Sequence, residues 1–209
     1  VSSAEEELMI DFSRFDYMSF DVYGTLIDWE TGIVQSLRPI LQSHGYEWSD
    51  DQILEAFARN ESAAQQPPYS TYLDLLSTVL QRIGELNNFL PTVDDLHTFS
   101  SSVPDWPAFP DSAESLAALK QHFQLMVITN CDDDLFAASN EKLDVEFDFI
   151  VTAEQAGAYK PDRRPFELAF ERIGGDRSRL LHVAQSIFHD HEPAKSLGLT
   201  TVWINRRHD

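Results

Sequence analysis

The sequence predicts an α/β fold in which a doubly wound parallel sheet carries an inserted, all-helical domain. Two observations support this prediction. First, five short apolar runs rich in Val, Ile or Phe alternate with segments of helical periodicity, an order that is typical of a parallel sheet covered by helices on both faces. Second, one long segment carries helical patterns but no convincing strand, which indicates an insertion into the sheet domain.

The predicted strands are short and apolar and are followed by helical patterns with recognisable ends. Asp111 with Glu114 predicts a capping box, and Asp162 is expected to cap a helix that ends at Gly174. The repeated strand, helix, strand order predicts a Rossmann-like core. The five strands are predicted at Met18 to Val22, Gln124 to Ile128, Phe147 to Val151, Leu180 to Ala184 and Thr200 to Ile204.

The inserted domain is predicted to span residues 31–104, so that residues 1–30 and 105–209 form the sheet domain. Apolar residues recur at helical spacing in three stretches of this insertion, and a capping box from Ser49 to Gln52 precedes the second stretch. The segment PTVDDLHTFSSSVPDWPAFPD, rich in Pro, Ser and Asp, is expected to return the chain to the sheet domain.

Composition excludes several classes of protein. With 209 residues, of which 43% are hydrophobic, the chain can bury a sizeable core. The net charge of −20 argues against nucleic acid and anionic membranes as partners, because both require a basic surface. The single cysteine, Cys131, excludes an internal disulfide. No apolar run is long enough to span a membrane, and the start VSSAEEELMIDF lacks the features of a secretion signal. We therefore expect a cytoplasmic protein, and the composition leaves a homodimer open.

Polar side chains follow four of the predicted strands at their carboxyl ends, where open α/β sheets bind ligands. They include a carboxylate that could act as a nucleophile, groups that could orient a substrate and a lysine that could hold negative charge. Together they predict an active site at this edge of the sheet. In chain order these residues are Asp21, Tyr23 and Thr25, then Thr129, Asn130 and Cys131, then Lys160, and finally Gln185, Ser186, His189 and Asp190.

The order of these residues resembles the four motifs of the haloacid dehalogenase (HAD) superfamily of hydrolases. The matching stretches are DVYGT with Asp21, ITN with Asn130, YKP with Lys160 and AQSIFHDH with Asp190. The helical insertion lies where that superfamily has its cap domain. The stretch DVYGTLIDWE is especially similar to the type II 2-haloacid dehalogenases. The resemblance covers nearly the whole chain and implies a sheet domain with an inserted all-helical cap domain.

The resemblance also implies a mechanism that needs no cofactor. Asp21 would be the nucleophile, displacing a leaving group from carbon 2 of a small, anionic carboxylic acid and forming an ester that water hydrolyses. Lys160 would keep Asp21 ionised, because an opposite charge within about 4 to 6 Å favours the charged form of a carboxyl group. Asp190 would orient Lys160 or the hydrolytic water.

Other residues are expected to position the reacting groups. Thr25, Thr129 and Asn130 would hold carboxylates or the leaving group through hydrogen bonds. The substrate carboxylate needs a cation, and the cap offers Arg59 and Arg38. Arg59 is preferred, because the dehalogenases carry an arginine at a similar place on the cap helix.

Departures from the family patterns keep two alternatives open. Tyr23 stands where phosphatases of the superfamily have a second aspartate that acts as general acid, and Gln185 and Ile187 stand where dehalogenases have serine and asparagine. Tyr23 and Gln185 are then expected to line the substrate site, and His189 or Gln185 to activate water. The first alternative is a Mg²⁺-dependent phosphatase of a small metabolite, with Asp21 and Asp190 as ligands. The second is a binding protein that has lost turnover.

Overall fold

A five-stranded parallel sheet forms the centre of the protein, for which a computed structural model describes residues 10–65 and 68–207. Its strand order is β3-β2-β1-β4-β5, which confirms the predicted doubly wound class. The strands are β1 (Tyr17–Phe20), β2 (Gln124–Thr129), β3 (Phe149–Thr152), β4 (Leu180–Ala184) and β5 (Thr200–Trp203). The prediction that the start VSSAEEELMIDF lacks the features of a secretion signal rests mainly on residues 1–9, which lie outside the described residues.

The strand order fixes the place where a ligand can bind. The chain proceeds from β1 outward to β2 and β3, and then crosses to β4 and β5 on the other side of β1. The direction of winding therefore reverses between β1 and β4, and open α/β sheets bind ligands at the carboxyl ends of the strands at such a point. β1 ends at Phe20, two residues before its predicted end, so that Asp21 begins the loop at this position.

Both faces of the sheet are covered, as the apolar strands predict. Along β2, Leu125 and Val127 belong to the larger apolar core, whereas Met126 and Ile128 belong to a second core on the other face. Successive side chains of a strand point to opposite faces, so β2 is apolar from Leu125 to Ile128. This burial on both faces explains why the strand appears in the sequence as one continuous apolar run.

Among the described residues, five α-helices belong to the sheet domain, and their ends differ in part from the prediction. Asp111 makes no capping hydrogen bond and instead pairs with Arg206. Asp162 accepts a hydrogen bond from the Arg164 backbone at 2.8 Å, although the residue at the N-cap position is Arg163. The helices are α5 (Ser112–Leu119), α6 (Asp133–Leu143), α7 (Ala153–Ala156), α8 (Arg164–Ile173) and α9 (Glu192–Ser196).

The insertion is helical, as predicted, in all of its described regular structure. It contains α1 (Trp29–Ser43), α2 (Asp50–Ala64), α3 (Tyr72–Asn87) and α4 (Val93–Ser100), followed by a 3₁₀ turn (Val103–Asp105). The first helix begins two residues before the predicted domain boundary. The capping box from Ser49 to Gln52 is present at the start of α2.

Three hydrogen bonds join the segment between α2 and α3 to the sheet domain. Asp132, at the start of α6, accepts from the Tyr69 hydroxyl at 2.6 Å and from the Tyr72 backbone at 2.8 Å. The Tyr159 hydroxyl donates to the backbone carbonyl of Ser70 at 2.8 Å. These contacts hold the cap over the carboxyl end of the sheet. Within the described residues, no helix combines the length and apolar character that a membrane span requires.

Candidate active site

Asp21, the predicted nucleophile, lies at the end of β1 with its carboxylate fixed from two sides. Its backbone N–H donates to the Val183 carbonyl at 3.1 Å, which continues the pairing of β1 with β4. Thr25 donates to Oδ2 at 2.8 Å, and Lys160 donates to Oδ1 at 2.9 Å. The Thr25 hydroxyl in turn accepts from the Gln185 backbone at 3.0 Å. The carboxylate is therefore buried and held in one orientation.

Lys160 is buried, and its ammonium group makes three hydrogen bonds. Nζ donates to Asp21 at 2.9 Å, to Asp190 Oδ1 at 2.7 Å and to the Ile128 carbonyl at 2.7 Å. An ammonium group has three N–H donors, so all of them are used. Lys160 can therefore compensate the charge of the two carboxylates but has no donor left for a substrate.

Asn130 supports the backbone of Lys160. Its Nδ2 donates to the Lys160 carbonyl at 3.0 Å, and its Oδ1 accepts from the Lys160 backbone N–H at 2.7 Å. This pair of hydrogen bonds fixes the backbone from which the lysine side chain extends. Asn130 also lines the pocket, and its contact with a substrate stays a prediction.

Asp190 lies in a π-helical turn (Ile187–His191) that follows β4, and it is not the N-cap of that turn, which is Ser186. Its Oδ1 accepts from Lys160 at 2.7 Å and bonds to His182 Nε2 at 3.0 Å. Because a carboxylate can only accept, His182 donates from Nε2, and its Nδ1 then accepts from Ser19 at 2.8 Å. Asp190 Oδ2 is buried and has no hydrogen-bond partner among the described residues.

The surroundings shift the pKa values of Asp190 and Asp21 in opposite directions. Burial opposes ionisation of Asp190, but the Lys160 ammonium and the bond from His182 outweigh it and lower the pKa of Asp190 to about 2. For Asp21, burial raises the pKa above its ordinary value, against the opposing effect of Lys160. Burial alone would lower the pKa of Lys160, yet the carboxylates of Asp190 and Asp21 raise it. Asp190 is thus the permanent counter-ion of Lys160.

Thr129 contacts another partner than the one expected, whereas Tyr23 lines the pocket as expected. Thr129 is buried and its hydroxyl lies 3.5 Å from the Cys131 sulfur, so it does not point at the reacting groups. The Tyr23 ring lines the pocket, but its hydroxyl bonds to Ser139 of α6 at 2.9 Å. Tyr23 therefore contributes an apolar surface beside Asp21 and not an acid for a leaving group.

Arg59 does not reach the site. Its side chain is 67% exposed and pairs with Glu55, one turn earlier on α2, at 2.8 Å. Successive residues of a helix are rotated by about 100°, and it is the neighbouring Ala58 that lines the pocket. Arg38, the other candidate, bonds to the Trp48 carbonyl and to Asp50. The predicted cation for a substrate carboxylate is therefore absent from both candidate positions.

The pocket above Asp21 has a volume of about 250 Å³ and lies between the sheet and the cap. Gln185 and His189, predicted as substrate-binding residues, both line it. Burial lowers the pKa of His189, and the nearby Lys160 adds to this effect; Nδ1 of His189 bonds to Ser186 at 3.1 Å.

Several lining residues of the cap were not predicted from the sequence, namely Trp29, Ala58, Glu61, Ser62 and Gln65. Tyr72 donates from its hydroxyl to Glu61 at 3.0 Å. A helical spacing of three and four residues links Ala58, Glu61 and Ser62, and this spacing is the only signal in the sequence that could have placed Glu61 on the inner face of α2.

Asp21 and Asp190 are the residues that would hold a Mg²⁺ ion at this site. Magnesium prefers an octahedral shell of oxygen ligands, and Lys160 already bonds to one oxygen of each of these carboxylates. Among residues 10–65 and 68–207, no group of three or more His, Cys, Asp or Glu is arranged to hold a metal ion. Lys160 supplies the positive charge in this arrangement.

A capped α/β domain with an aspartate, a lysine and a second aspartate at the winding reversal defines a class of hydrolase. The family model for haloacid dehalogenase-like hydrolases matches residues 18–204. The chain belongs to this family.

Named relatives lie in the same class. The (S)-2-haloacid dehalogenase 4A of Burkholderia cepacia is 26% identical over 194 residues, which cover 90% of this chain and 82% of that protein. The fold is similar to that of the L-2-haloacid dehalogenase from Xanthobacter autotrophicus with chloropropionic acid covalently bound, with a TM-score of 0.79, 20% identity and coverage of 92% and 78%. It is also similar to the putative HAD-hydrolase YfnB from Bacillus subtilis bound to magnesium, with a TM-score of 0.80, 19% identity and coverage of 94% and 91%.

Proposed function

We propose that this protein is a metal-independent hydrolase of the 2-haloacid dehalogenase type that uses Asp21 as its nucleophile. The observation that carries the proposal is the buried Asp21 carboxylate, fixed by Lys160 and Thr25 in the pocket between the sheet and the cap. The Burkholderia relative is named for its action on 2-haloacids. A 2-haloacid, which is a small 2-substituted carboxylic acid, is therefore the first substrate to test.

In the first step an Asp21 oxygen attacks carbon 2 of the substrate from the side opposite the halogen. The carbon–oxygen bond forms as the carbon–halogen bond breaks, and the halide leaves with the bonding electron pair. A halide does not need protonation, which agrees with a tyrosine hydroxyl at position 23 that is already bonded to Ser139. Covalent catalysis of this kind divides one difficult displacement into two easier steps.

In the second step water adds to the Asp21 carbonyl carbon, the ester opens, and the 2-hydroxy product leaves. The sum of both steps converts the substrate and one water into the alcohol, a halide ion and a proton. His189 is our choice as the acceptor of the water proton, because it lines the pocket and its lowered pKa leaves the ring neutral near pH 7.

The test is halide release from racemic 2-chloropropionate and chloroacetate with EDTA present, for the native protein and Asp21→Asn. We expect release in EDTA that disappears in the variant. Single turnover in heavy-oxygen water should leave the label in the peptide that contains Asp21, since water attacks the carbonyl of the aspartate itself. Absence of release, together with Mg²⁺-dependent hydrolysis of a phosphate ester, would refute the proposal and favour the phosphatase. Inactivity toward both substrate classes would favour the binding protein.

A further inference from the structure

One wall of the pocket is formed by the cap and carries an acidic group. Ala58, Glu61 and Ser62 of α2 and Gln65, which follows α2, line it, together with Tyr72 of α3. Successive members of the first four are separated by three, one and three positions, which places them on one face of the helix. Glu61 is the charged residue of this face, and Asp21 lines the same pocket.

The pocket offers no cation to a negatively charged substrate. Lys160 is the one Lys or Arg among the described lining residues, and its three donors are used by Asp21, Asp190 and Ile128. One lysine between two carboxylates leaves a net negative charge at the floor of the pocket. A substrate carboxylate would therefore face negative charge at the floor and an acidic side chain on the cap.

Glu61 is suited to accept hydrogen bonds from a ligand. The side chain is half-buried, and one of its oxygens accepts from the Tyr72 hydroxyl at 3.0 Å. A carboxyl group offers about four acceptor positions, so this bond leaves capacity for another donor. The same bond orients Glu61. Because the Tyr72 hydroxyl already donates its proton to Glu61, Tyr72 does not donate to the ligand.

We propose that Glu61 is a specificity-determining residue that accepts a hydrogen bond from the substrate group that stands where a 2-haloacid has its carboxylate. The site then prefers a substrate in which this group donates hydrogen bonds, through an amide, a hydroxyl or an ammonium, over one that carries a carboxylate. The inference deepens the proposed function and rests on it for the reaction at Asp21. It ranks a hydrogen-bond donor above the carboxylate and keeps the displacement at carbon, so that 2-haloacids remain substrates with slower release.

The protonation of Glu61 sets the strength of this preference. Burial raises its pKa to about 7, against the opposing effect of the bond from Tyr72. Above that pH the ionised side chain repels a carboxylate and attracts a donor, whereas below it the neutral acid can tolerate either. The titratable or charged groups that share the pocket with Glu61 are Tyr72 on the cap and Asp21, Tyr23, Lys160, His189 and Asp190 in the sheet domain.

The test compares two ligands of the same shape, lactamide and lactate, by titration calorimetry at about pH 8.5, where Glu61 is ionised. They correspond to the products of the two candidate substrate classes. We expect the native protein to bind lactamide at least about tenfold more tightly, because the like charges of Glu61 and the lactate carboxylate disfavour the anion. In Glu61→Gln, which has nearly the same size and no charge, the ratio should fall to within about threefold. Glu55→Gln removes the same charge from the outer face of α2 and should leave the ratio unchanged.

Chloride release from 2-chloropropionamide and 2-chloropropionate separates this inference from the proposed function. Faster release from the amide, abolished by Asp21→Asn, supports both. Faster release from the acid, also abolished by Asp21→Asn, overturns the role of Glu61 and leaves the hydrolase intact. A lactamide preference that depends on Glu61, without release from either substrate, overturns the proposed chemistry and supports the specificity. Equal binding of the two ligands by the native protein, or binding of neither, overturns the inference.

Discussion

Replacement of Glu61 by glutamine is predicted to change the pH dependence of protein stability. The ordinary pKa of a glutamate is 4.5, and burial raises that of Glu61 to about 7 in the folded protein. The folded state therefore holds this proton more tightly than the unfolded chain. The native protein loses stability as the pH rises between these two values, and the loss is complete above the higher one. Glutamine does not titrate and avoids this loss.

The size of the effect follows from the shift. A change of 2 to 3 pKa units corresponds to about 3 kcal/mol, at about 1.4 kcal/mol per unit. Because the side chain is half-buried, solvent screening reduces the expected effect to about 2 kcal/mol. The free energy of unfolding of Glu61→Gln minus that of the native protein should thus increase by about 2 kcal/mol between about pH 4 and about pH 8.5. Urea denaturation at both pH values measures this difference. If this difference in unfolding free energy is the same at both pH values, Glu61 does not titrate with a raised pKa and the reasoning is refuted. For the control Glu55→Gln, the same difference should change by less than about 0.5 kcal/mol between the two pH values.

The remaining predictions concern the ion pairs. Lys160→Met should abolish activity and lower the free energy of unfolding by about 3 to 5 kcal/mol, because it leaves Asp21 and Asp190 buried without their counter-ion; a melting temperature equal to that of the native protein would contradict this. The raised pKa of Asp21 predicts that kcat/KM falls on the acid side at a pH above 3.8, the ordinary value for an aspartate, since only the ionised form attacks; a pH–rate profile flat down to that value would argue against it. Arg59→Ala should change kcat/KM by less than about twofold and stability by about 0 to 1 kcal/mol, because its pair with Glu55 is exposed; a large increase in KM would restore Arg59 as a substrate ligand.

The sheet and the charged cluster could be predicted because topology alone brings them together. Asp21, Lys160 and Asp190 follow three different strands, and parallel strands end at one edge of the sheet. No side-chain detail is needed for that argument. The same holds for the helical insertion, since its apolar spacing is independent of what the helices cover.

The roles that the sequence misassigned or missed depend on orientation within a few ångströms. Ala58 and Arg59 are neighbours on α2 and point in different directions from the helix, so that Ala58 lines the pocket and Arg59 pairs with Glu55. Thr129 ends a strand whose alternation turns its hydroxyl toward Cys131. Asn130 contacts the backbone of Lys160 through a loop closure that no motif spacing reveals. Glu61 matches no motif, because its interest comes from its position in the same pocket as Asp21.

The contacts of Asp132 have a consequence for the entry of ligands and the release of products. Its carboxylate is buried and makes no capping bond to its own helix, because it accepts from Tyr69 and from the Tyr72 backbone of the cap. A cap that lifts to exchange ligands must break these bonds and hydrate Asp132. Asp132 is two residues from Asn130, whose amide holds Lys160 in place. We therefore expect each opening of the cap to loosen the lysine as well, so that Asp21 regains its full set of partners only after the pocket has closed around its occupant.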